Sequence, residues 1–538
     1  MFKLNNIILN IIIISILLII SGCGGSKVTS KYNENSANYT KNKKSISINN
    51  TKKVYYLGKS LNSKIKLQIE NKKDIYVVVT SNFFDQKISI TSSVSSRNIE
   101  KKSYKLLNSI EDNKSINISK YRENIINLLH KNLAKNSTKI RQLSKSYRTI
   151  DTMALNQTQS FCIGMDNSNN CTIRINATAK KIIKNVQTPY GVKSLVIWLE
   201  SGNGGVSQRD IDNLANIFLK GGGNNDIYDW VTNLYGSEWG DNAKNVNGNL
   251  IAKSNIIDIL LYNMNNSGLA GYFWGKDNFK KSAIGASNEK IMFYINTQLL
   301  SANPKETYTT LAHEFQHMIH FYQRAVLKKL RDSTWFDELM SETTEDLVAT
   351  KIGYMGPRNV DPNNGTAGRA GNRGGRYPNF NRYNTASLII WNNSTVDYSK
   401  VSAFGGFLAR NYDGAKLLHK LMTSRYTDQR AILDATGESS FNTLINKWGC
   451  AVVLSDKIGL NNKLEYNFGD FRYTGFGNTI YELGSVNFFN YIPQPQFTSN
   501  AILAKSANLY YRVGTNLSGV VNLNINIPKG ADISIIAK

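Results

Sequence analysis

Residues 307–325 read TYTTLAHEFQHMIHFYQRA and place three of the chain's five histidines within a few positions of one another. Pro304 followed by KETYTTLAHEFQHMIHFYQRAVLKKL reads as one long helix, with proline suited to its first turn. On such a helix His313 and His317 lie about 40° apart around the axis and roughly 6 Å apart along it, so two imidazoles can meet one metal ion. His320 also faces this way, but it stands about 10.5 Å from His313 along the axis, too far for the same tetrahedral ion. It is expected as a neighbour of the site or as a packed core histidine. One helix therefore supplies two ligands, and the third must come from another element. Glu314, one step round, can reach a water held by the metal without becoming a ligand; a zinc ion would lower that water's pKa toward 7, and the glutamate would take its proton. A metzincin would carry glycine three and histidine six places after the second histidine; here those positions are His320 and Gln323.

The segment RDSTWFDELMSETTEDLVATKIGY follows and is again helical in pattern. Glu338, Glu342 and Glu345 share one face, with Leu339, Leu347 and Val348 for packing. A carboxylate from this helix would complete a two-histidine, one-glutamate set with an open position for water. TLAHEFQHMIHF followed by WFDELMSETTEDL resembles the gluzincin signature, and among gluzincins most resembles the hyicolysin family of secreted bacterial neutral zinc metallopeptidases. The resemblance covers about residues 190–425. It implies an α+β, zincin-like fold with a mixed sheet, active-site helices and a helical lower subdomain, here represented by residues 383–414. It also implies one catalytic Zn2+ held by His313, His317 and Glu338. Glu342 falls where gluzincins place a carboxylate that hydrogen-bonds a zinc-bound histidine; the two glutamates can exchange these roles. Gluzincins further use a tyrosine or histidine of the lower subdomain as oxyanion donor. Tyr398 is the candidate, ahead of Tyr383 and His419.

Upstream of the motif the chain alternates strands and helices. VKSLVIWLE (192–200), SNIIDILLYNM (254–264) and EKIMFYINTQ (289–298) read as strands of one sheet. SQRDIDNLANIFLK (207–220) reads as a helix capped by Ser207, and DIYDWVTNLYG (226–236) as a shorter one ended by glycine. Strand 289–298 is expected to pair with an extended substrate. The glycine-rich stretch 355–380 lacks a phosphate-loop pattern; it is expected as a long mobile loop, its arginines mostly solvated.

The N-terminus has Lys3, an apolar run from about Ile7 to Ile20, and then Ser21-Gly22-Cys23, which resembles a bacterial lipobox. The resemblance implies cleavage before Cys23, acylation of its sulfur and an exported chain anchored to a membrane through lipid. The expected order is a signal peptide (1–22), a polar tether (23–52) and a small β domain (53–102). After these come a helical or irregular connector (103–185), the metallopeptidase domain (186–454) and a C-terminal β-rich domain (455–538). Cys162 and Cys171 bracket a polar turn and are expected to form a disulfide; Cys450 is expected as a buried free thiol. The net charge of +26, from 65 basic and 39 acidic residues, raises the question of nucleic acid. The lysines lie among asparagine and serine with no nucleic-acid-binding motif, so no nucleic-acid partner is expected. The function expected is a zinc-dependent endopeptidase acting on protein or peptide substrates; the alternative is a catalytically inactive surface adhesin or binding lipoprotein on the same scaffold.

Overall fold

The computed structural model describes residues 43–50, 52–94, 124–129, 150–222, 225–265, 269–362, 368–455, 471–474 and 479–538. The expected signal segment, Cys23, most of the tether and His130 lie outside them. The order of elements is that of an α+β protein with two large sheets. Among the described residues no helix is long and apolar enough to cross a membrane.

Four strands come first: β1 (Lys43–Ile48), β2 (Val54–Ser60), β3 (Ser63–Ser81) and β4 (Gln86–Val94). The next six form the sheet that carries the site. They are β5 (Thr158–Met165), β6 (Cys171–Thr188), β7 (Gly191–Glu200), β8 (Ile256–Tyr262), β9 (Gly271–Phe273) and β10 (Ile291–Asn296), in the spatial order β5-β6-β7-β8-β10-β9. Strands β7, β8 and β10 are parallel and are near-continuous apolar runs buried on both faces, as parallel strands covered by helices must be. Because β10 pairs with β8 on one side and with antiparallel β9 on the other, it has no edge to offer a substrate, contrary to expectation. The edge belongs to β9.

Residues 158–188, expected as far as 185 to belong to a connector, are the β5–β6 hairpin of this sheet. A disulfide between Cys162 and Cys171 closes it, with Cα atoms 5.9 Å apart. Cys450 is a free thiol, and burial pushes its pKa up to about 12.

A hairpin, β11 (Phe471–Thr474) and β12 (Ile480–Leu483), precedes three last strands, β13 (Asn500–Leu503), β14 (Asn508–Asn526) and β15 (Ala531–Ala537). The terminal β regions, read from sequence as two domains, share one sheet of order β13-β4-β14-β3-β15-β2, with β1 added parallel to β3 from within the expected tether. Strand β3 has two characters. Its first half alternates buried and exposed residues, whereas Val77, Val78 and Val79 are all buried. Val77 and Val79 enter the core of the terminal sheet, and Tyr76 and Val78 enter the main core. The helix Phe441–Leu454 packs on that second half. Asn446 Nδ2 donates to Thr80 Oγ1 at 3.0 Å, Ser534 Oγ donates to Asn446 Oδ1 at 2.6 Å, and Asn508 Nδ2 donates to the Ile445 carbonyl at 3.0 Å. The seam is thus a buried, hydrogen-bonded one, which ties the sheet's position to that helix.

Candidate metal centre

The helix Pro304–His320 begins where the sequence places it, with Asn303 capping and Pro304 in the first turn. It ends differently. At Phe321 the α-helix widens into a π-helical turn, Phe321–Leu327, which carries Arg324 into the protein. Arg324 Nε and Nη2 reach Asp332 at 2.5 and 2.7 Å, and Nη1 donates to the Leu421 and Ser424 carbonyls. Those carbonyls end the helix Ala415–Thr423, so one buried cation caps a lower-subdomain helix and fixes the chain's turn into the next element.

That element is the acidic helix Thr334–Lys351, which packs along the histidine helix. Its other flank meets the helix Thr395–Asn411 at Gly405, where an added Cβ would stand 2.0 Å from Thr343 Oγ1. The close approach seats the acidic helix between two neighbours and aims its carboxylates at the histidines.

His313 Nε2 is 3.2 Å and His317 Nε2 3.4 Å from Glu338 Oε2, and the three residues present donor atoms within 4.8 Å of one another. Donors about 2.0–2.1 Å from a tetrahedral zinc stand about 3.3 Å apart. The observed spacings therefore fit one ion shared by two imidazoles and a carboxylate. His317 and Glu338 are each 1 % exposed, and two imidazoles facing a carboxyl group at such burial suit a cation better than mutual contact alone. The outer imidazole nitrogens have carboxylate partners too. Asp337 Oδ2 is 3.0 Å from His317 Nδ1, and Glu345 Oε2 is 3.3 Å from His313 Nδ1, its other oxygen accepting from Thr309 at 3.1 Å. Such partners fix ring orientation and strengthen a histidine as a ligand. Burial opposes a charged imidazole, yet Glu338 and Glu345 beside it, with Glu314, hold the His313 pKa well above its ordinary value when no metal is bound.

Glu342, assigned from sequence to a histidine, has another partner. Arg376 Nη2 and Nε donate to its two oxygens at 2.6 and 3.1 Å. Burial pushes the Glu342 carboxyl up to about 7 even against that guanidinium. Glu345 is held below the ordinary range despite burial, chiefly by His313. Its donor atoms, with those of His313 and Glu342, make a second grouping that could hold a metal.

Arg376 and Arg358 come from the glycine-rich stretch expected to be a loose, solvated loop. These two are anchored instead, whereas Arg369 and Arg373 are exposed as expected. Arg358 is buried and donates to Asp346 at 2.7 Å. Gly375, at φ +76°, lies so close to the Pro357 carbonyl that a Cβ would meet it at 2.4 Å. Glycine is required for that fold of the chain.

His320 bridges two carboxylates, Asp337 at 3.3 Å and Asp332 at 3.2 Å, and takes the role of a buried neighbour. Glu314 Oε2 accepts from the Phe273 amide of β9 at 2.8 Å, a contact that sequence spacing does not suggest. Tyr398 packs edge-on to Trp391, with its ring 5.2 Å from the Arg376 guanidinium, so Arg376 connects it to the acidic helix. His419 instead lies 3.0 Å from the Leu234 carbonyl.

The peptidase M30 family model matches residues 175–538. A 109-residue stretch is 28 % identical to the neutral metalloprotease ShpI of Staphylococcus hyicus, which is 18 % of this chain and 24 % of that protein. The chain thus spans about a quarter of that relative's length in the match.

Proposed function

The chain belongs to the peptidase M30 family, and from that premise we propose that it is a zinc-dependent endopeptidase with Glu314 as general base. The observation that carries the reading is the meeting of His313, His317 and Glu338 at the donor spacings of a tetrahedral ion, with Glu314 beside them. Nitrogen and carboxylate donors in a three-ligand set suit catalytic zinc, whose fourth position water takes. Bound there, zinc would supply Lewis acidity toward water and the scissile carbonyl.

The chain's own groups do the rest. Asp337 and Glu345 orient the two imidazoles. The Phe273 amide fixes the Glu314 carboxylate, which takes a proton from the attacking water and returns it to the leaving amine. Tyr398, steadied by Trp391 and Arg376, donates to the developing oxyanion. An extended substrate pairs along the edge strand β9. Its partners are proteins or peptides, reached from an exported position anchored to a membrane through lipid on Cys23.

The test is casein cleavage by the zinc-loaded chain and by Glu314→Gln. Loss of a positioned base is expected to slow turnover by about 10²–10⁴-fold with zinc content unchanged. A variant that cuts as fast as the parent ends the proposal.

A further inference from the structure

The apolar side of the centre is filled by the chain itself. Residues 124–129, NIINLL, form a short helical stretch. Ile125 and Leu129, four apart and so on one face, are 2 % and 0 % exposed, while Asn124 and Asn127 face solvent. Ile125 and Ile126 border a small cavity whose apolar wall is Phe273 of β9 with Phe321 and Ala325 of the π-helical turn. Its polar end is His317, His320 and Asp337. The stretch touches the turn that follows the edge strand, since Ile125 Cγ2 lies 3.3 Å from where a Cβ on Gly275 would stand. About 30 Å³ remains open, room for one water and not for a side chain.

Phe273, which forms this wall, also donates its amide to Glu314, so a peptide lying along β9 with its scissile bond at the metal would set a flanking side chain beside it. Apolar lining beside a few fixed polar groups is the usual make-up of a side-chain subsite. Yet His317 is 1 % and Glu314 5 % exposed, a closure that a polypeptide cannot share. The stretch that closes the wall precedes residues 175–538, which match the family.

Resting on the metallopeptidase reading, we propose that the Phe273–Phe321–Ala325 pocket is the subsite for a branched aliphatic side chain next to the scissile bond. Ile125 occupies it in cis, so that residues 124–129 compete with substrate until they are displaced. The isoleucine in the pocket is then also a sample of the side chain it selects.

The experiment uses the full chain, zinc-loaded, in a Glu314→Gln background that binds without cutting. Calorimetry gives the Kd of two zinc-directed hydroxamates, one with a leucyl and one with an aspartyl side chain, with and without Ile125→Asp and Leu129→Asp together. The leucyl compound is expected to bind about ten-fold tighter or more once the stretch is substituted, and the aspartyl compound about equally in both proteins. An unchanged leucyl affinity, or an equal gain for both compounds, overturns the proposal. Should the double substitution not fold, Ile125→Ala gives the same comparison, with about a three-fold gain expected. A chain that takes up no zinc, or takes it up equally after His317→Ala, sinks the metal reading itself and is told apart from a failure of the subsite by that measurement.

Discussion

Replacing Arg376 by methionine tests whether a buried carboxylate on the acidic helix depends on one guanidinium. Glu342 is fully buried and has both oxygens on Arg376. Breaking a buried pair by removing one partner costs roughly 3–5 kcal/mol, because the remaining charge is uncompensated. Arg376 itself is 32 % exposed, and Glu342 can take up a proton rather than stay charged, so screening and protonation bring the expectation down to about 1–2 kcal/mol at pH 8. The sign of the pH dependence follows from Glu342. Burial already raises its pKa, and losing Arg376 raises it further. A carboxyl with a raised folded pKa contributes stability that is present below the unfolded value and lost as pH rises toward the folded one. Arg376→Met is therefore expected to cost little near pH 5, where the carboxyl protonates, and most near pH 8. Urea unfolding of the metal-free parent and variant at both pH values measures this, and Glu342→Gln in the same background should recover much of the loss. Equal destabilisation at pH 5 and pH 8, or no recovery in the double variant, refutes the reasoning.

Zinc affinity should fall as pH drops below the raised pKa of His313, because the metal must displace a proton held there; competition with a chelating dye across pH reads this directly. Asp337→Asn or Glu345→Gln should each weaken zinc binding by about 10–100-fold with little change in thermal melting of the metal-free chain, and a smaller loss than from His317→Ala. Gly405→Ala should destabilise the protein by about 1–3 kcal/mol in denaturant unfolding, since Thr343 Oγ1 occupies the space of the new Cβ and donates to the Leu339 carbonyl. Cys23→Ala should move the protein from the membrane fraction to the medium in a cell-fractionation assay.

What sequence showed and what it hid divide along physical lines. Locally encoded features were legible: the helix start at Pro304, the Ser207 cap accepting from the Asp210 amide, and the apolar runs of β7, β8 and β10. The pair at four-residue spacing nominated His313 and His317, because helix geometry turns that spacing into a distance; the acidic helix offered Glu338, Glu342 and Glu345, and it was the gluzincin resemblance that singled out Glu338. Contacts set by tertiary approach were not legible. Asp337 and Glu345 sit in the very segment that was read, but which carboxylate meets which nitrogen depends on the crossing of two helices. Arg376 reaches Glu342 only because Gly375 lets a loop fold tightly. The π-helical turn after His320 follows from the packing of Arg324 rather than from any residue pattern. In β3 a signal was present. KIKLQI alternates, whereas IYVVV is continuous, and a change from one apolar face to two marks the half that lies between two cores.

The most direct test is a crystal structure of the zinc-loaded chain with anomalous scattering recorded at the zinc edge. One peak is expected about 2.0–2.2 Å from His313 Nε2, His317 Nε2 and a Glu338 carboxylate oxygen. A peak held instead by His313 with Glu342 and Glu345, leaving His317 without metal, would contradict the two-helix centre on which the chemistry rests.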